Sequence, residues 1–225
     1  MSFRQKIFSK NGSGVYALKP ELDDKWEDKF KTTRYKGGDI IYQQGEPFQT
    51  YHILLEGAVK NGCQIADGKK ILFNVTYPGE VLEKVTLNSS VRKCFARSLT
   101  ESRLALIGKE DFRSFLLENP KMCSHLVSQL SEKLSLQYQI KMARVLEGTR
   151  GALLFLIKDL YENRTSRSGN RIHTSETDLA NLLGVSRETI SRHLSQLRQK
   201  GIAEADRNGI SVLDGKKLKK LAPDI

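Results

Sequence analysis

Cysteine, histidine and proline are scarce in this chain, and long apolar runs are missing. Its 225 residues hold three Cys, four His, five Pro and one Trp. The cysteines, Cys63, Cys94 and Cys123, are far apart and odd in number. No C-x-x-C pair occurs, so zinc-finger and iron–sulfur frameworks lack their usual spacing, and no metal site is expected. Reduced thiols of a cytosolic protein are the ordinary reading. His52, His125, His173 and His193 sit in different segments and suggest no triad. Nucleophile-elbow, phosphate-loop and H-E-x-x-H patterns are missing as well, so the chain does not read as an enzyme. No stretch approaches the roughly 18 apolar residues of a membrane span. Met1 to Asn11 is basic but lacks the apolar core of a signal peptide. A cytoplasmic location is expected.

What is present is an ordinary globular mixture with a positive bias. Hydrophobic residues make up 39% and charged residues 28%, and the formal net charge is +11. Such a field favours polyanions, nucleic acid among them. The bias is spread along the chain, with +5 over residues 148–225 and +6 over the first 147. Charge alone therefore identifies nothing, and a motif must carry the functional reading.

Residues 1–18 read as a loose arm. Pro20 opens a short helical stretch with Leu22, Trp26 and Phe30 on one face. From Tyr35 on, glycines punctuate short β-rich runs: Ile40–Tyr42, Tyr51–Leu55, Val59–Ile65 and Lys70–Tyr77. Asp67-Gly68 is a hairpin signal, and Arg92 to Ile107 adds two strands. Many short strands with frequent turns predict a sandwich or barrel-like roll. Asp111 to Glu118 reads as a short helix. Pro120 then opens a long one reaching to about Glu147.

That long helix carries Leu126, Leu130, Leu134, Tyr138 and Met142 four apart, with Val127, Leu136, Ile140 and Val145 interleaved. Such a stripe needs a partner. Burial against its own domain and a helix-to-helix dimer seam both fit, although Lys133 and Gln137 interrupt a strict heptad. Gly148 and Gly151 around Arg150 suggest a hinge. Ala152 to Tyr161 reads as a short apolar helix, and residues 162–172 as a polar loop.

The strongest signal lies between Thr174 and Gly201. Ser175 with Asp178 fits a capping box, and Leu179, Ala180, Leu182 and Leu183 follow. Gly184 allows a positive φ at a tight turn, and Ser186 caps a second helix, Arg187 to Lys200. Ile190, Leu194 and Leu197 form its inward face. Two short helices joined this way make a helix-turn-helix. Arg187, Glu188, Ser191 and Arg192 point outward from the N-terminal half of the second helix, the part that enters a major groove. There Arg can donate to guanine O6 and N7, and Glu can accept from cytosine N4. An ordinary solvated helix with a Glu188–Arg192 pair is the bland alternative. The following segment argues against it: Ile202-Ala203, the hairpin signal Asn208-Gly209 and Ile210–Val212 complete a winged helix. Lys216, Lys217, Lys219 and Lys220 either touch phosphates or solvate the tail.

These pieces resemble the cyclic-AMP receptor protein / fumarate-nitrate regulator (CRP/FNR) family of bacterial transcription regulators, from about residue 20 onward. Ser186-Arg187-Glu188-Thr189-Ile190-Ser191-Arg192 is similar to its recognition helix. Lys36-Gly37, Ile40, Gly45-Glu46, Tyr51, Ile53 and Gly57 are similar to its β-roll. The resemblance implies an α+β architecture. An N-terminal antiparallel β-roll (a double-stranded β-helix or jelly-roll) over residues 1–118 would be the sensor. Residues 119–148 would be a long dimerisation helix and hinge, and 149–225 a winged helix-turn-helix that binds DNA. It further implies a homodimer paired through the Leu126–Met142 stripe, double-stranded DNA with a palindromic operator, and contact with RNA polymerase. Ser186, Arg187, Glu188, Thr189, Ser191 and Arg192 would form the DNA site. Arg187 favours half-sites similar to TGTGA, and Ser191 half-sites similar to TTGAT. His193 departs from the family's aliphatic residue and reads as half-buried.

The sensor matches less closely. Cyclic-AMP binders in the family carry Gly-Glu followed by Arg-Ser-Ala. Gly79-Glu80 and Arg92 are here, but Lys93 and Cys94 replace Ser and Ala, and Glu83 replaces a glycine. A carboxylate there would repel a phosphate. Gln137 and Tyr138, aligned with the adenine-reading pair, match neither residue. The effector candidates are thus Gly79, Glu80, Arg92, Lys93, Cys94, Gln137 and Tyr138. Their bland reading is a turn carboxylate at Glu80 and a surface arginine at Arg92. The cofactor stays unknown. A cyclic nucleotide, another anion or aromatic acid, a redox signal, or no effector all remain open. So does a nucleotide-binding module without DNA binding.

Overall fold

The computed structural model describes residues 24–65, 70–83, 89–164, 170–206 and 209–225. Two compact units follow one another, residues 1–131 and 132–225.

The first unit opens with a single helical turn, α1 (Asp24–Glu27). Pro20 and Leu22 of the expected helix lie outside the described residues. Trp26 and Phe30 are buried, but Phe30 comes after α1 rather than within it. Seven strands follow: β1 (Lys31–Tyr35), β2 (Ile40–Tyr42), β3 (Thr50–Glu56), β4 (Val59–Gln64), β5 (Lys70–Thr76), β6 (Phe95–Ser98) and β7 (Ser102–Gly108). They form two antiparallel sheets, β1-β7-β3 and β2-β6-β4-β5. Strand β1 escapes the sequence reading, since Lys-Thr-Thr-Arg-Tyr has no apolar alternation and four of its five residues are exposed. It is an edge strand held by β7. Strands β4 and β5 pair as expected, but Asp67-Gly68 lies outside the described residues.

The sheets bury two apolar clusters. One gathers Tyr42, Leu54, Val59, Leu82, Ala96 and Leu104. The other joins Trp26, Phe30, Phe48 and Tyr51 to Phe112 and Phe115 of α2 (Lys109–Glu118). Phe115 meets Trp26 and Phe30 edge-on, with centroids 5.2 and 5.5 Å apart. Such pairs add about 0.5–1.5 kcal/mol beyond the area they bury.

The long helix α3 runs from Pro120 to Arg164. This span is two helices meeting at a kink, so the expected end near Glu147 and the separate apolar helix beyond it are both present. Gly148 adopts φ 66° and ψ −159°, which only glycine tolerates well. Helical geometry resumes at once, so the break of the expected hinge falls at Gly148 and not at Gly151. A Cβ there would lie 2.9 Å from the Ala143 carbonyl oxygen, so Gly151 is a close-packing residue. The expected polar loop is also shorter than 162–172, because α3 reaches Arg164 and Arg171–Ile172 is a strand, β8.

The apolar stripe of α3 divides. Met122 and Leu126 are buried in the first unit's core, with Leu130 packed against it. Val127, Leu134, Tyr138, Met142, Val145 and Leu146 are exposed. Burial against its own domain therefore explains the first turns only.

The second unit contains α4 (Glu176–Leu183), α5 (Arg187–Gln199), a three-stranded sheet β8-β10-β9 with β9 (Ala203–Asp206) and β10 (Gly209–Val212), and α6 (Gly215–Leu221). Strand β8, pairing Ile172 with Ile210, is an addition to the expected hairpin. Asn208 lies outside the described residues. The lysine-rich tail is helical, with Lys219 paired to Glu162 at 2.8 Å.

Candidate nucleic-acid interface and sensor site

The helix pair is specified locally. The Ser175 hydroxyl accepts from the Asp178 amide at 3.1 Å and donates to the Asp178 carboxylate at 2.9 Å, a side-chain variant of the capping box. Leu179, Ala180 and Leu183 are buried. Gly184 sits in the left-handed region at φ 61° and closes the helix with its amide on the Ala180 carbonyl. The Ser186 hydroxyl then accepts from the Thr189 amide at 3.2 Å and starts α5. Ile190, Leu194 and Leu197 face inward, all buried. What remains outside is polar: Ser186, Arg187, Glu188 and Arg192 are exposed, and Thr189 and Ser191 are half-buried.

Electrostatics prepare this end of α5. The helix start gathers the free N–H groups and their partial positive charge. The Glu188 backbone N–H, then the Ser186 hydroxyl, hold the Glu188 carboxyl below its ordinary pKa. Glu188 is thus an anion and an acceptor only. Arg187 Nε lies 3.4 Å from half-buried Glu176, and the exposed guanidinium can exchange this weak pairing for another partner. His193 is half-buried, as expected, and its Nδ1 is buried without a hydrogen bond.

In the first unit the sensor candidates behave differently. Arg92 is no surface arginine, and Glu80, at the turn as expected, is buried: they are 6% and 3% exposed. Glu83 is buried as well, and paired. At 1% exposure, its carboxylate accepts from Arg92 Nη1 at 2.9 Å, from the His52 amide at 2.8 Å and meets His52 Nδ1 at 2.5 Å. Arg92 Nη2 also donates to the Thr50 carbonyl at 2.9 Å. Its guanidinium stacks 3.8 Å over the Tyr42 ring and 5.2 Å from Phe48. Burial first, and the Glu83 charge second, push the Tyr42 phenol well above its ordinary pKa, so it stays neutral beside the pair.

The turn holding Gly79 and Glu80 is fixed by the backbone and by α3. The Gly79 amide donates to Leu54 O at 2.8 Å, and Leu54 N donates to Glu80 O at 3.0 Å. Gln129 Nε2 donates to Gly79 O at 2.7 Å. Lys93 is exposed and Cys94 buried. Gln137 and Tyr138 are both exposed on α3 in the second unit. The sequence reading missed His52, Tyr42 and Gln129. The oddity of Glu83 was visible, but its partner 31 residues away was not.

Two family profiles match the chain. The cyclic nucleotide-binding domain covers residues 32–119, and the Crp-like helix-turn-helix domain covers residues 151–221. A CRP-like cAMP-activated global transcriptional regulator of Mycobacterium tuberculosis is 20% identical over 190 residues, 82% of this chain and 85% of the relative. The cAMP-activated global transcriptional regulator CRP of Pasteurella multocida is 23% identical over 177 residues, 76% and 85% of the two chains. The fold is shared with a CRP/FNR-family transcriptional regulator from Thermus thermophilus, at a TM-score of 0.68 and 24% identity, covering 85% of this chain and 98% of that one. These matches define a DNA-binding transcription regulator of helix-turn-helix type with a cyclic-nucleotide-binding-type sensor. The chain belongs to the CRP/FNR family.

Proposed function

We propose that the protein acts as a homodimer that reads a palindromic operator through α5, under control of its β-roll. The observation that carries this reading is the division of α5 into a buried apolar face and an exposed Arg187, Glu188 and Arg192 at its N-terminal end. Arg187 and Arg192 donate to guanine edges, and Glu188 accepts from cytosine. Ser191 and Thr189 border these contacts, and Ser186 holds the helix start against the groove. The half-site resembles TGTGA or TTGAT. Residues 1–118 serve as the sensor, 119–148 as dimerisation helix and hinge, and 149–225 as the DNA-binding domain. RNA polymerase is the further partner, and the cytoplasm the location. No helix among the described residues is long and apolar enough to cross a membrane.

For the effector, the β-roll favours something other than a cyclic nucleotide. The anion that neutralises Arg92 is already supplied by Glu83, so a phosphate entering there would have to displace a buried carboxylate with three partners. A small molecule held elsewhere in the roll, or a redox signal, fits better. Gly79, Glu80, Lys93, Cys94, Gln137 and Tyr138 are the remaining candidates for effector contact.

The test is a gel shift at moderate, stated salt on both half-site types. Arg192→Ala is expected to weaken specific binding by about 1–3 kcal/mol and to leave the dimer intact. Equal binding of mutant and parent would remove the role given to α5. Absence of any sequence preference in the parent would favour a regulatory module that does not read DNA.

A further inference from the structure

Strands β4 and β6 pair antiparallel with Val59 opposite Ser98, Asn61 opposite Ala96, and Gly62 opposite Phe95. Side chains alternate across a strand, so every second pair shares a face. Val59 with Ser98 and Asn61 with Ala96 are the buried pairs, and all four residues are inside. Continued one position beyond Gly62 and Phe95, the last pair of the ladder, the register would set Cys63 opposite Cys94, which immediately precedes β6. Both carry free thiols; Cys94 is buried and Cys63 half-buried.

We propose that Cys63 and Cys94 form a redox-responsive disulfide site just beyond the end of the β4–β6 ladder, with hydroperoxides as the oxidant class. Directly opposed residues hold their Cβ atoms about 4.5–5.5 Å apart. A disulfide needs about 3.5–4.5 Å. The β4–β6 ladder ends at Gly62 and Phe95, so a small movement of the two residues just beyond it disrupts none of that pairing. The sulfurs also feel each other electrostatically. Burial first, and the charge of Cys63 second, push the Cys94 thiol up to about 11.

Burial assigns the order of events, since Cys63 is half-buried and Cys94 buried. Cys63, the more accessible sulfur, attacks the distal oxygen of the hydroperoxide as its thiolate. An S–O bond forms and the O–O bond breaks. The leaving oxygen takes up a proton and departs as alcohol, or as water from hydrogen peroxide. The Cys94 sulfur then attacks the Cys63 sulfur, and the hydroxyl leaves as water with the Cys94 proton. Two thiols lose two electrons in total and one hydroperoxide gains them. The product staples β4 to β6, and a dithiol reverses it by exchange.

Cys123, exposed on α3, is removed to prevent cross-linking between chains. Full-length Cys123→Ser is treated with hydrogen peroxide, alkylated and mapped by mass spectrometry. The expected product is a peptide pair linked through Cys63 and Cys94 within one chain, lost on treatment with dithiothreitol. In Cys123→Ser/Cys94→Ser the reaction stops at a Cys63 sulfenic acid that dimedone traps. In Cys123→Ser/Cys63→Ser the Cys94 thiol survives unoxidised. Sulfinic acid on Cys63 with Cys94 still free in the first variant would overturn the proposal, as would linkage only between two chains. The mapping of the first variant leaves both proposed residues intact, so it does not depend on how the serine variants fold. The outcome is independent of DNA binding.

Discussion

Glu83→Ala is expected to lower folding stability by about 3–5 kcal/mol, the usual result of removing one partner from a buried ion pair. The substitution leaves the Arg92 guanidinium, 6% exposed, with the Thr50 carbonyl and two aromatic rings but no counter-charge. It also leaves the His52 amide without its acceptor. Each unsatisfied buried donor adds about 1–3 kcal/mol. Glu83→Gln keeps an acceptor oxygen and loses only the charge, so its midpoint in urea should fall between parent and Glu83→Ala. Glu83→Leu combined with Arg92→Met removes both charges and should recover much of the loss, because apolar replacement of a whole buried pair is often neutral or better. Urea unfolding at constant slope measures all four proteins. A cost below about 1 kcal/mol for Glu83→Ala would mean that water reaches Arg92 freely and that the carboxylate does not fill its site.

The same variant tests the effector reading. If Glu83 stands where an external anion would sit, Glu83→Ala should gain stability on adding inorganic phosphate while the parent does not. The gain follows RT ln(1 + [L]/Kd), about 2.7 kcal/mol at 100 times the dissociation constant. Cyclic AMP should likewise leave the melting temperature of the parent unchanged. A parent that is stabilised by cyclic AMP at micromolar concentration would return the β-roll to ordinary nucleotide sensing.

The DNA-reading half was legible because its signals are short-range. Ser175, Gly184 and Ser186 act on residues three or four positions away, and Ile190, Leu194 and Leu197 repeat at helical spacing. Nothing distant has to be known for either helix to start, turn or stop. The β-roll obeys the opposite rule. Strand β1 is identifiable only through its partner β7, some seventy positions on, because its own residues are polar and exposed. Arg92 looks like any arginine until Glu83, Thr50, Tyr42 and Phe48 are brought around it. Register is what brings Gly62 opposite Phe95, each next to a cysteine, and cysteine spacing does not encode register. Gly148 and Gly151 mark a further limit. Both suggested a hinge; Gly148 is the break between two helices, whereas Gly151 is a contact too tight for a side chain.

The proposed pairing of two copies through α3 carries the second large expectation: Leu134→Asp with Tyr138→Asp should yield monomers and abolish tight operator binding. Val127, Leu134, Tyr138 and Val145 follow one another at spacings of seven, four and seven, which is the repeat of two helices packed side by side. All four are exposed, Leu134 by 53% and Tyr138 by 60%, and Met142, Val145 and Leu146 extend the patch. A contiguous apolar face of this kind on a described surface marks an interaction site. Burying each such side chain is worth roughly 1.5–3 kcal/mol. Six from each of two copies outweigh an association cost of about 4–15 kcal/mol even when burial is partial. Two aspartates per copy would instead place four carboxylates in one apolar seam. The helix itself should survive, because Met122 and Leu126 anchor its first turns within the β-roll core. Sedimentation at micromolar concentration reads the mass directly, and circular dichroism checks that the fold is kept. A folded monomer contacts one half-site only, so its gel shift should resemble binding to non-specific DNA, weaker than the parent by about 10³-fold or more. A variant that stays dimeric while folded would show that the copies meet elsewhere, and that the uncovered stripe serves another partner.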